Sequence, residues 1–288
     1  MSRFVEVIRT GPLALLQDLG RPGYAAVGVG RSGAADRASF TLANRLVGNQ
    51  PEVGAIEITL GGFALGTNAP IIVALTGAPA PAEVSGRSVP HNSPVYLRAG
   101  QVLTLGFAPV GLRTYLAIAG GFDVPPVLGS VATDTMSGLG PAPLAPGRVL
   151  KLGHLPVEPG SIDVAPVAPL GEGPVTLRVL RGPRDEWLDD YSRLGKTRWT
   201  ASSQSDRVGV RLEGQPLDRA PEYADRELQS EGVVRGSIQV PGSGLPVLFL
   251  ADHPVTGGYP VAGVIRDADT DRLAQVRPGQ QIRFQLED

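Results

Sequence analysis

Short apolar runs separated by turn residues dominate the pattern of hydrophobic and polar positions along this chain. The runs are rich in Val, Ile, Leu and Thr and are bounded by Gly, Pro, Asn or Asp, a pattern typical of β-strands joined by tight turns. Their number and spacing predict an all-β protein built from barrels or sandwiches. The ten clearest runs are Phe4–Ile8, Ala55–Leu60, Ile71–Thr76, Gln101–Phe107, Arg113–Ala119, Val175–Leu180, Val208–Leu212, Pro246–Leu250, Val261–Ile265 and Ile282–Leu286.

Only two segments have the periodicity of helices. The first follows Ser32, which we expect to be its N-cap, and ends at Gly48. The second begins at Gly182 and ends at Gly195. Their apolar stripes are Phe40, Ala43, Leu46 and Val47 in the first, and Trp187, Leu188, Tyr191 and Leu194 in the second.

A proline-rich segment with few periodic apolar residues, His154–Gly173, is the best candidate for a linker. It predicts two domains, residues 1–165 and residues 166–288, each β-rich. A faint similarity between Arg98–Leu105 and Arg277–Phe284 is consistent with two similarly built halves. The same similarity is equally consistent with a common turn that precedes a strand.

Composition excludes several classes of function. The 288 residues carry a net charge of -2, and no basic cluster is present, so we expect no nucleic-acid partner. There is no cysteine, which excludes disulfides, a thiolate nucleophile and cysteine-ligated metal sites. No apolar stretch approaches the ~20 residues of a membrane span or forms a signal peptide. The sequence therefore predicts a cytoplasmic protein without membrane contact.

Familiar catalytic signatures are mostly absent. His91, His154 and His253 lie far apart in the sequence, so we expect no metal site. The glycine pattern of residues 28–33 formally matches a dinucleotide-binding motif, but no strand–helix–strand unit follows it. It is interpreted either as a simple turn or as a site where backbone N–H groups meet a carboxylate or phosphate. Ser32 has no nearby base and is a poor candidate for a hydrolase nucleophile.

The richest cluster of polar residues lies in the C-terminal half, in Arg235–Pro241 and Asp252–Pro260. The glycines in Thr256–Tyr259 would let backbone N–H groups approach a ligand, with the Tyr259 ring as a wall. Asp252 is a candidate acid, base or hydrogen-bond acceptor. The alternative is a hairpin whose polar residues satisfy one another.

Several longer motifs resemble one protein family. They are Gln17–Tyr24, Ser32–Asp36, Ala43–Asn49, Ile56–Leu60, Arg113–Phe122, Leu128–Ser130, Ser205–Gly209, Gly236–Pro241 and Thr256–Pro260. In this order they resemble the biotin-dependent carboxyltransferase-related proteins, which are called KipA, allophanate hydrolase subunit 2 or the C-type subunit of 5-oxoprolinase. The chain departs from the family pattern at Val131–Pro146 and at His253–Val255.

The resemblance implies two β-barrel-like domains related to the cyclophilin-like fold, with a few short helices. It also implies two kinds of partner, namely KipI or the B-type subunit of 5-oxoprolinase, and an A-type subunit. Together these subunits resemble an ATP-dependent 5-oxoprolinase that hydrolyses 5-oxo-L-proline to L-glutamate. We expect ATP at the level of the complex, and no activity of this chain without its partners.

Two other functions remain open at this stage. One is a KipA-type regulatory protein that binds a KipI-like kinase inhibitor and performs no chemistry. The other is the carboxyltransferase component of a biotin-dependent urea carboxylase or allophanate-type system. Biotin is less favoured because no biotin-carrying or biotin carboxylase domain is recognised within these residues.

Opening a lactam requires activation of the amide oxygen, a held water and donors for the developing oxyanion. On this basis we predict three catalytic residues: Asp252, Arg207 and Gln239. For Arg207, a structural ion pair is the alternative. The predicted substrate-binding residues are Ser32, Asp36, Thr256, Gly257, Gly258 and Tyr259.

Overall fold

A computed structural model describes residues 2–155 and 163–287, and the chain divides into two compact units. The first unit takes its residues from Met1–Arg21, Asp36–Asp134 and Gly138–Gly171. The second takes them from Pro22–Ala35, Thr135–Ser137 and Glu172–Asp288. The main junction therefore follows Gly171, whereas the sequence predicted it after residue 165. Of the predicted linker, residues 156–162 lie outside the described residues.

The first unit is built from two antiparallel sheets and one α-helix, α1 (Arg37–Leu46). The six-stranded sheet has the order β11-β1-β4-β9-β6-β7, and the five-stranded sheet has the order β2-β3-β10-β5-β8. The strands are β1 (Phe4–Thr10), β2 (Leu13–Gln17), β3 (Ala55–Thr59), β4 (Phe63–Thr67), β5 (Ile71–Gly77), β6 (Ala82–Val84), β7 (Arg87–Val89), β8 (Pro94–Leu97), β9 (Val102–Leu105), β10 (Arg113–Ile118) and β11 (Val149–Lys151).

The two sheets of the first unit share one hydrophobic core. In β1 the side chains alternate, so Val5 and Val7 are fully buried while their neighbours are more exposed. Every residue of β10 is buried, because this strand is the centre of its sheet and is covered on its other face by α1. Phe40 of α1 meets the Tyr115 ring edge-on, with ring centroids 6.1 Å apart.

The second unit is a closed seven-stranded barrel of order β12-β19-β16-β17-β14-β13-β20. It closes through a parallel pairing of β12 with β20, while its other strand pairs are antiparallel. A separate two-stranded ribbon is formed by β15 and β18. The elements are β12 (Val175–Arg181), α2 (Ser192–Lys196), β13 (Trp199–Ala201), β14 (Gly209–Glu213), β15 (Glu231–Gly232), β16 (Ser237–Gln239), β17 (Val247–Phe249), β18 (Thr256–Gly257), β19 (Val261–Ile265), α3 (Asp267–Leu273) and β20 (Gln281–Glu287).

Residues 22–35 belong to the second unit because they are anchored to the barrel. Ala35 is fully buried within the barrel's hydrophobic core. Its carbonyl accepts a hydrogen bond from Nη2 of Arg235 at 2.9 Å. The same guanidinium forms ion pairs with Asp267 and Asp271 of α3. Three segments that are remote in sequence therefore meet at one arginine.

The all-β prediction is confirmed, and each of the ten predicted runs overlaps a strand. The first predicted helix is also present, as α1. The second predicted helix is wrong as a continuous element. A 3-10 turn covers Asp185–Trp187, Leu188 is extended and pairs with Arg219, and α2 begins only at Ser192. α3 was not predicted, although Asp267 and Asp269 in its first turn favour a helix N-terminus.

The similarity between Arg98–Leu105 and Arg277–Phe284 has a local explanation. In both segments the arginine N–H donates to the side chain of the glutamine three residues later, and the glutamine N–H donates back to the arginine carbonyl. Each turn is followed by a strand, β9 or β20. The two segments therefore share a turn that precedes a strand.

No helix within residues 2–155 and 163–287 combines the length and the apolar character that crossing a bilayer requires.

Candidate functional site

The centre of the candidate site is a buried ion pair between Arg207 and Asp252 in the second unit. Nε of Arg207 lies 2.9 Å from Oδ2 of Asp252, and Nη2 lies 3.0 Å from Oδ1. The two side chains are only 3% and 0% exposed. Arg207 precedes β14, and Asp252 follows β17, the strand that pairs with β14. The backbone N–H of Asp252 also donates to the carbonyl of Arg207, at 3.0 Å.

Three further donors saturate the Asp252 carboxylate. The Ser32 hydroxyl donates to Oδ1 at 2.6 Å. The Thr135 backbone N–H and hydroxyl both donate to Oδ2, at 2.9 Å and 2.7 Å. Nη2 of Arg207 in turn donates to the Gly33 carbonyl at 2.6 Å. The ion pair therefore ties the segments around residues 32 and 135 to the barrel.

These donors keep the Asp252 carboxylate ionised. Burial raises its pKa, but the positive charge of Arg207 and the hydrogen bonds from Arg207, Ser32 and Thr135 outweigh burial. The net effect is a pKa below the usual value of an aspartate. A carboxylate offers about four lone-pair sites, and five donor contacts already occupy its two oxygens.

This geometry favours a positioning role for Asp252 over proton transfer. A general base must present a free lone pair to the proton that it removes. The Asp252 carboxylate instead accepts hydrogen bonds from Ser32, Thr135 and Arg207, which belong to its own unit. The catalytic assignments of Asp252 and Arg207 stay predictions. For Arg207, the structure shows the ion pair that the sequence offered as the alternative.

Ser32 does not cap α1, so that prediction is wrong. The N-cap is Asp36, whose carboxylate accepts hydrogen bonds from the Ser39 N–H at 2.9 Å and the Ser39 hydroxyl at 2.6 Å. Ser32 instead has a left-handed backbone, with φ 54°, and its hydroxyl donates a hydrogen bond to Asp252. Asp36 belongs to the first unit, where its N–H donates to the Tyr115 hydroxyl at 2.8 Å. The structure shows that Asp36 caps α1. Its role in substrate binding stays a prediction.

The predicted residues Gln239, Gly257 and Tyr259 form a second group in the same unit. Nε2 of Gln239, on β16, donates to the Tyr259 carbonyl at 3.1 Å. A Cβ at Gly257 would lie 2.4 Å from this Nε2, so a side chain at this position would require the Gln239 amide to move. Thr256, beside Gly257 on β18, is exposed and pairs with Gly232 of β15.

Gly258 and Tyr259 line an open pocket of about 510 Å³ together with other residues of the second unit. Tyr259 is 49% exposed, so its ring is accessible as a wall. The remaining lining residues are Arg219, Arg226, Glu227, Leu228 and Gly242. Neither arginine was predicted from the sequence, because both lie outside every motif that resembles the family.

Thr135 is another residue that the sequence did not reveal. It lies in Val131–Pro146, the stretch in which the chain departs from the family pattern, yet it donates twice to Asp252. Among the described residues, no three His, Cys, Asp or Glu side chains are grouped in a way that would hold a metal ion.

Comparison with known proteins gives the family. The model of the carboxyltransferase domain, subdomain A and B, matches residues 27–286. The chain belongs to this family. The resemblance predicted from the sequence motifs is therefore confirmed, and the match includes both the Arg207–Asp252 pair and the Gln239–Tyr259 group.

Individual relatives agree with the family assignment. The chain is 40% identical to the C-type subunit of 5-oxoprolinase from Escherichia coli over 286 residues, which cover 97% of this chain and 90% of that protein. The structure of K. lactis urea amidolyase superposes with a TM-score of 0.91 at 31% identity, covering 98% of this chain and 18% of that one. The structure of TTHA0988 superposes with a TM-score of 0.89 at 34% identity, covering 99% of this chain and 55% of that one.

Proposed function

We propose that this chain is the C-type component of an ATP-dependent 5-oxoprolinase, which hydrolyses 5-oxo-L-proline to L-glutamate together with A-type and B-type subunits. The observation that carries the proposal is the alignment with the E. coli C-type subunit, because it extends over nearly the whole length of both chains at 40% identity. The family match over residues 27–286 supports the same assignment.

The reaction adds water across the lactam C–N bond, so that the ring carbonyl becomes a carboxylate and the ring nitrogen becomes the amine of glutamate. An enzyme must supply donors for the developing oxyanion and a held water. Gly258, which follows the ribbon strand β18, lines the pocket beside Tyr259, and Gln239 donates a hydrogen bond to the Tyr259 carbonyl. The Arg207–Asp252 pair positions the surrounding loops through hydrogen bonds to Ser32 and Thr135.

Partner subunits are part of the proposal. The E. coli relative is itself one subunit of its enzyme, and in K. lactis urea amidolyase and TTHA0988 this fold is one part of a longer chain. We assign the partners to a B-type subunit related to KipI and an A-type subunit, with ATP as a substrate of the complex. No step of the proposal passes through biotin. The absence of cysteine supports a place in the reducing cytoplasm.

A second candidate function is carboxyl transfer in a urea carboxylase system. The TM-score of 0.91 against K. lactis urea amidolyase favours it. The identity to that protein, at 31%, is lower than the 40% to the E. coli relative, and the match covers 18% of its length. The C-type component of 5-oxoprolinase therefore remains the better assignment.

The test is release of L-glutamate from 5-oxo-L-proline by the A-type and B-type subunits, with and without this chain, in the presence and absence of ATP. We expect release only when all three proteins and ATP are present. Assembly is checked by size-exclusion chromatography. If the assembled complex yields no glutamate, the proposal is overturned. Carboxylation of urea would then support the second candidate, and binding to a KipI-like inhibitor without turnover would support a regulatory protein.

A further inference from the structure

Two arginines of the second unit are held in place by a pair of aromatic rings. Trp187 and Tyr223 stack with ring centroids 4.6 Å apart and an interplanar angle of 14°. The guanidinium of Arg219 lies 5.3 Å from the Trp187 centroid, and that of Arg226 lies 5.3 Å from the Tyr223 centroid. Such cation–π contacts restrict the guanidinium planes without using their N–H donors.

A hydrogen bond joins the two arginines. Nη1 of Arg219 donates to the Arg226 carbonyl at 3.0 Å. Arg219 is also part of an isolated bridge with Leu188, next to Trp187. The Arg219 side chain is therefore anchored by a ring and a backbone carbonyl, and the Arg226 side chain by a ring, which lowers the conformational entropy that a ligand would have to remove.

Both arginines line the same pocket as Gly258 and Tyr259. The pocket, at about 510 Å³, falls in the range that small-molecule sites occupy in proteins. Two guanidiniums at one pocket repel each other unless an anion lies between them. In the described part of the chain, neither Arg219 nor Arg226 forms an ion pair with a carboxylate, whereas Arg207 and Arg235 do.

Glu227 adds one carboxylate to the lining of this pocket. A doubly charged phosphate would be repelled by it, while a molecule that carries both a carboxylate and an N–H group would satisfy all three charged side chains. An α-amino-acid skeleton has this combination of groups.

We propose that this pocket binds the α-carboxylate of a small amino-acid-type ligand, with Arg219 and Arg226 at the carboxylate and Glu227 at the adjacent N–H. The identity of the ligand as 5-oxo-L-proline, or L-glutamate as its product, rests on the proposed function. Tyr259 lines the site, and Gln239 fixes its position by donating a hydrogen bond to the Tyr259 carbonyl.

The test measures binding and turnover for three variants of the full chain. Arg219→Lys and Arg226→Gln each remove a guanidinium from the pocket, and Arg283→Gln is the matched control at an exposed position on β20. Isothermal titration with 5-oxo-L-proline, L-glutamate and inorganic phosphate gives the Kd of each. The KM for 5-oxo-L-proline is measured in parallel with the A-type and B-type subunits. Thermal melting shows that each variant is folded.

We expect both pocket variants to weaken binding of 5-oxo-L-proline or L-glutamate, or to raise the KM, about tenfold or more, with Arg283→Gln unchanged. Hydrogen bonds to charged groups have this magnitude. Unchanged Kd and KM in both folded pocket variants would overturn the site, as would binding of inorganic phosphate alone. If the assembled complex shows no turnover, the proposed function fails, but the titrations still decide whether the pocket binds an amino-acid carboxylate.

Discussion

Arg207 donates two hydrogen bonds to Asp252, at 2.9 Å and 3.0 Å, in a place where both side chains are almost entirely buried. Their sequence positions are 45 residues apart. Removing one member of such a pair leaves the other as an uncompensated buried charge, which costs more than the pair contributes when intact. This relationship determines what substitutions at either residue will do.

Asp252→Asn is expected to lower the free energy of unfolding by about 3–5 kcal/mol, because Arg207 is left buried without its counter-charge. Urea denaturation measures the change. A double variant, Asp252→Leu with Arg207→Met, is expected to be more stable than the single variant. Stability of Asp252→Asn within about 0.5 kcal/mol of the wild type would contradict this account. Turnover of Asp252→Asn is measured together with its free energy of unfolding, because loss of folded protein also lowers turnover.

The same pair predicts a dependence of stability on acid. The folded pKa of Asp252 is lower than its unfolded value, which is ~3.9, so the ionised carboxylate stabilises the folded state above the unfolded pKa. That contribution is lost as the pH falls through the folded pKa. The difference in unfolding free energy between wild type and Asp252→Asn is therefore expected to be largest at neutral pH and to shrink below about pH 4. A difference that stays constant between neutral and acidic pH would argue against the ion pair.

At Ser32, glycine is expected to be tolerated better than alanine. Both substitutions remove the 2.6 Å hydrogen bond to Asp252, which is worth about 1.5–3 kcal/mol because the acceptor is charged. The left-handed backbone, at φ 54°, is strained for any residue with a Cβ, and glycine relieves ~1 kcal/mol of that strain. Thermal or urea unfolding of Ser32→Ala and Ser32→Gly tests the order. Equal stabilities would show that the strain is not present in solution.

Gly257→Ala is expected to displace the Gln239 amide, because the new Cβ would lie 2.4 Å from Nε2. The loss is about 1 kcal/mol, the value of the hydrogen bond from Gln239 to Tyr259. In a Gln239→Ala background the same substitution should cost little, which a double-mutant cycle measures. Gly232→Ala, on the partner strand of the ribbon, is the control, since a Cβ there meets nothing within 4 Å. Equal costs at positions 232 and 257 would contradict the close approach.

Two substitutions at Asp36 distinguish a role in capping α1 from a role in binding substrate. Asp36→Ala is expected to lower stability by ~1 kcal/mol through the loss of the N-cap of α1. Asp36→Asn should restore stability, because asparagine is an equally good N-cap. A carboxylate that binds substrate would not be replaced by asparagine, so a KM that rises in the Asn variant of the assembled enzyme would support the substrate role. An unchanged KM in both variants would leave capping as its function.

The elements whose signal is local were predictable from the sequence. Apolar runs bounded by turn residues correspond to strands, because a strand needs only alternating or continuous burial over a few residues. α1 was predictable from its stripe and its stop at Gly48, although the N-cap was placed at Ser32 instead of Asp36. Competing caps a few residues apart cannot be ranked without knowing where the backbone turns, and here Ser32 is engaged by Asp252.

The family, the strand pattern and the polar residues Arg207, Gln239 and Asp252 could all be recognised in the sequence. Which of these residues meet was decided only by the tertiary structure. The hydrogen bond from Ser32 to Asp252 spans 220 positions, and the bond from Thr135 spans 117. Closure of the barrel and the docking of residues 22–35 and 135–137 create these contacts. Local patterns encode strands and turns, whereas a buried carboxylate acquires its partners, and its pKa, from segments that only folding brings together.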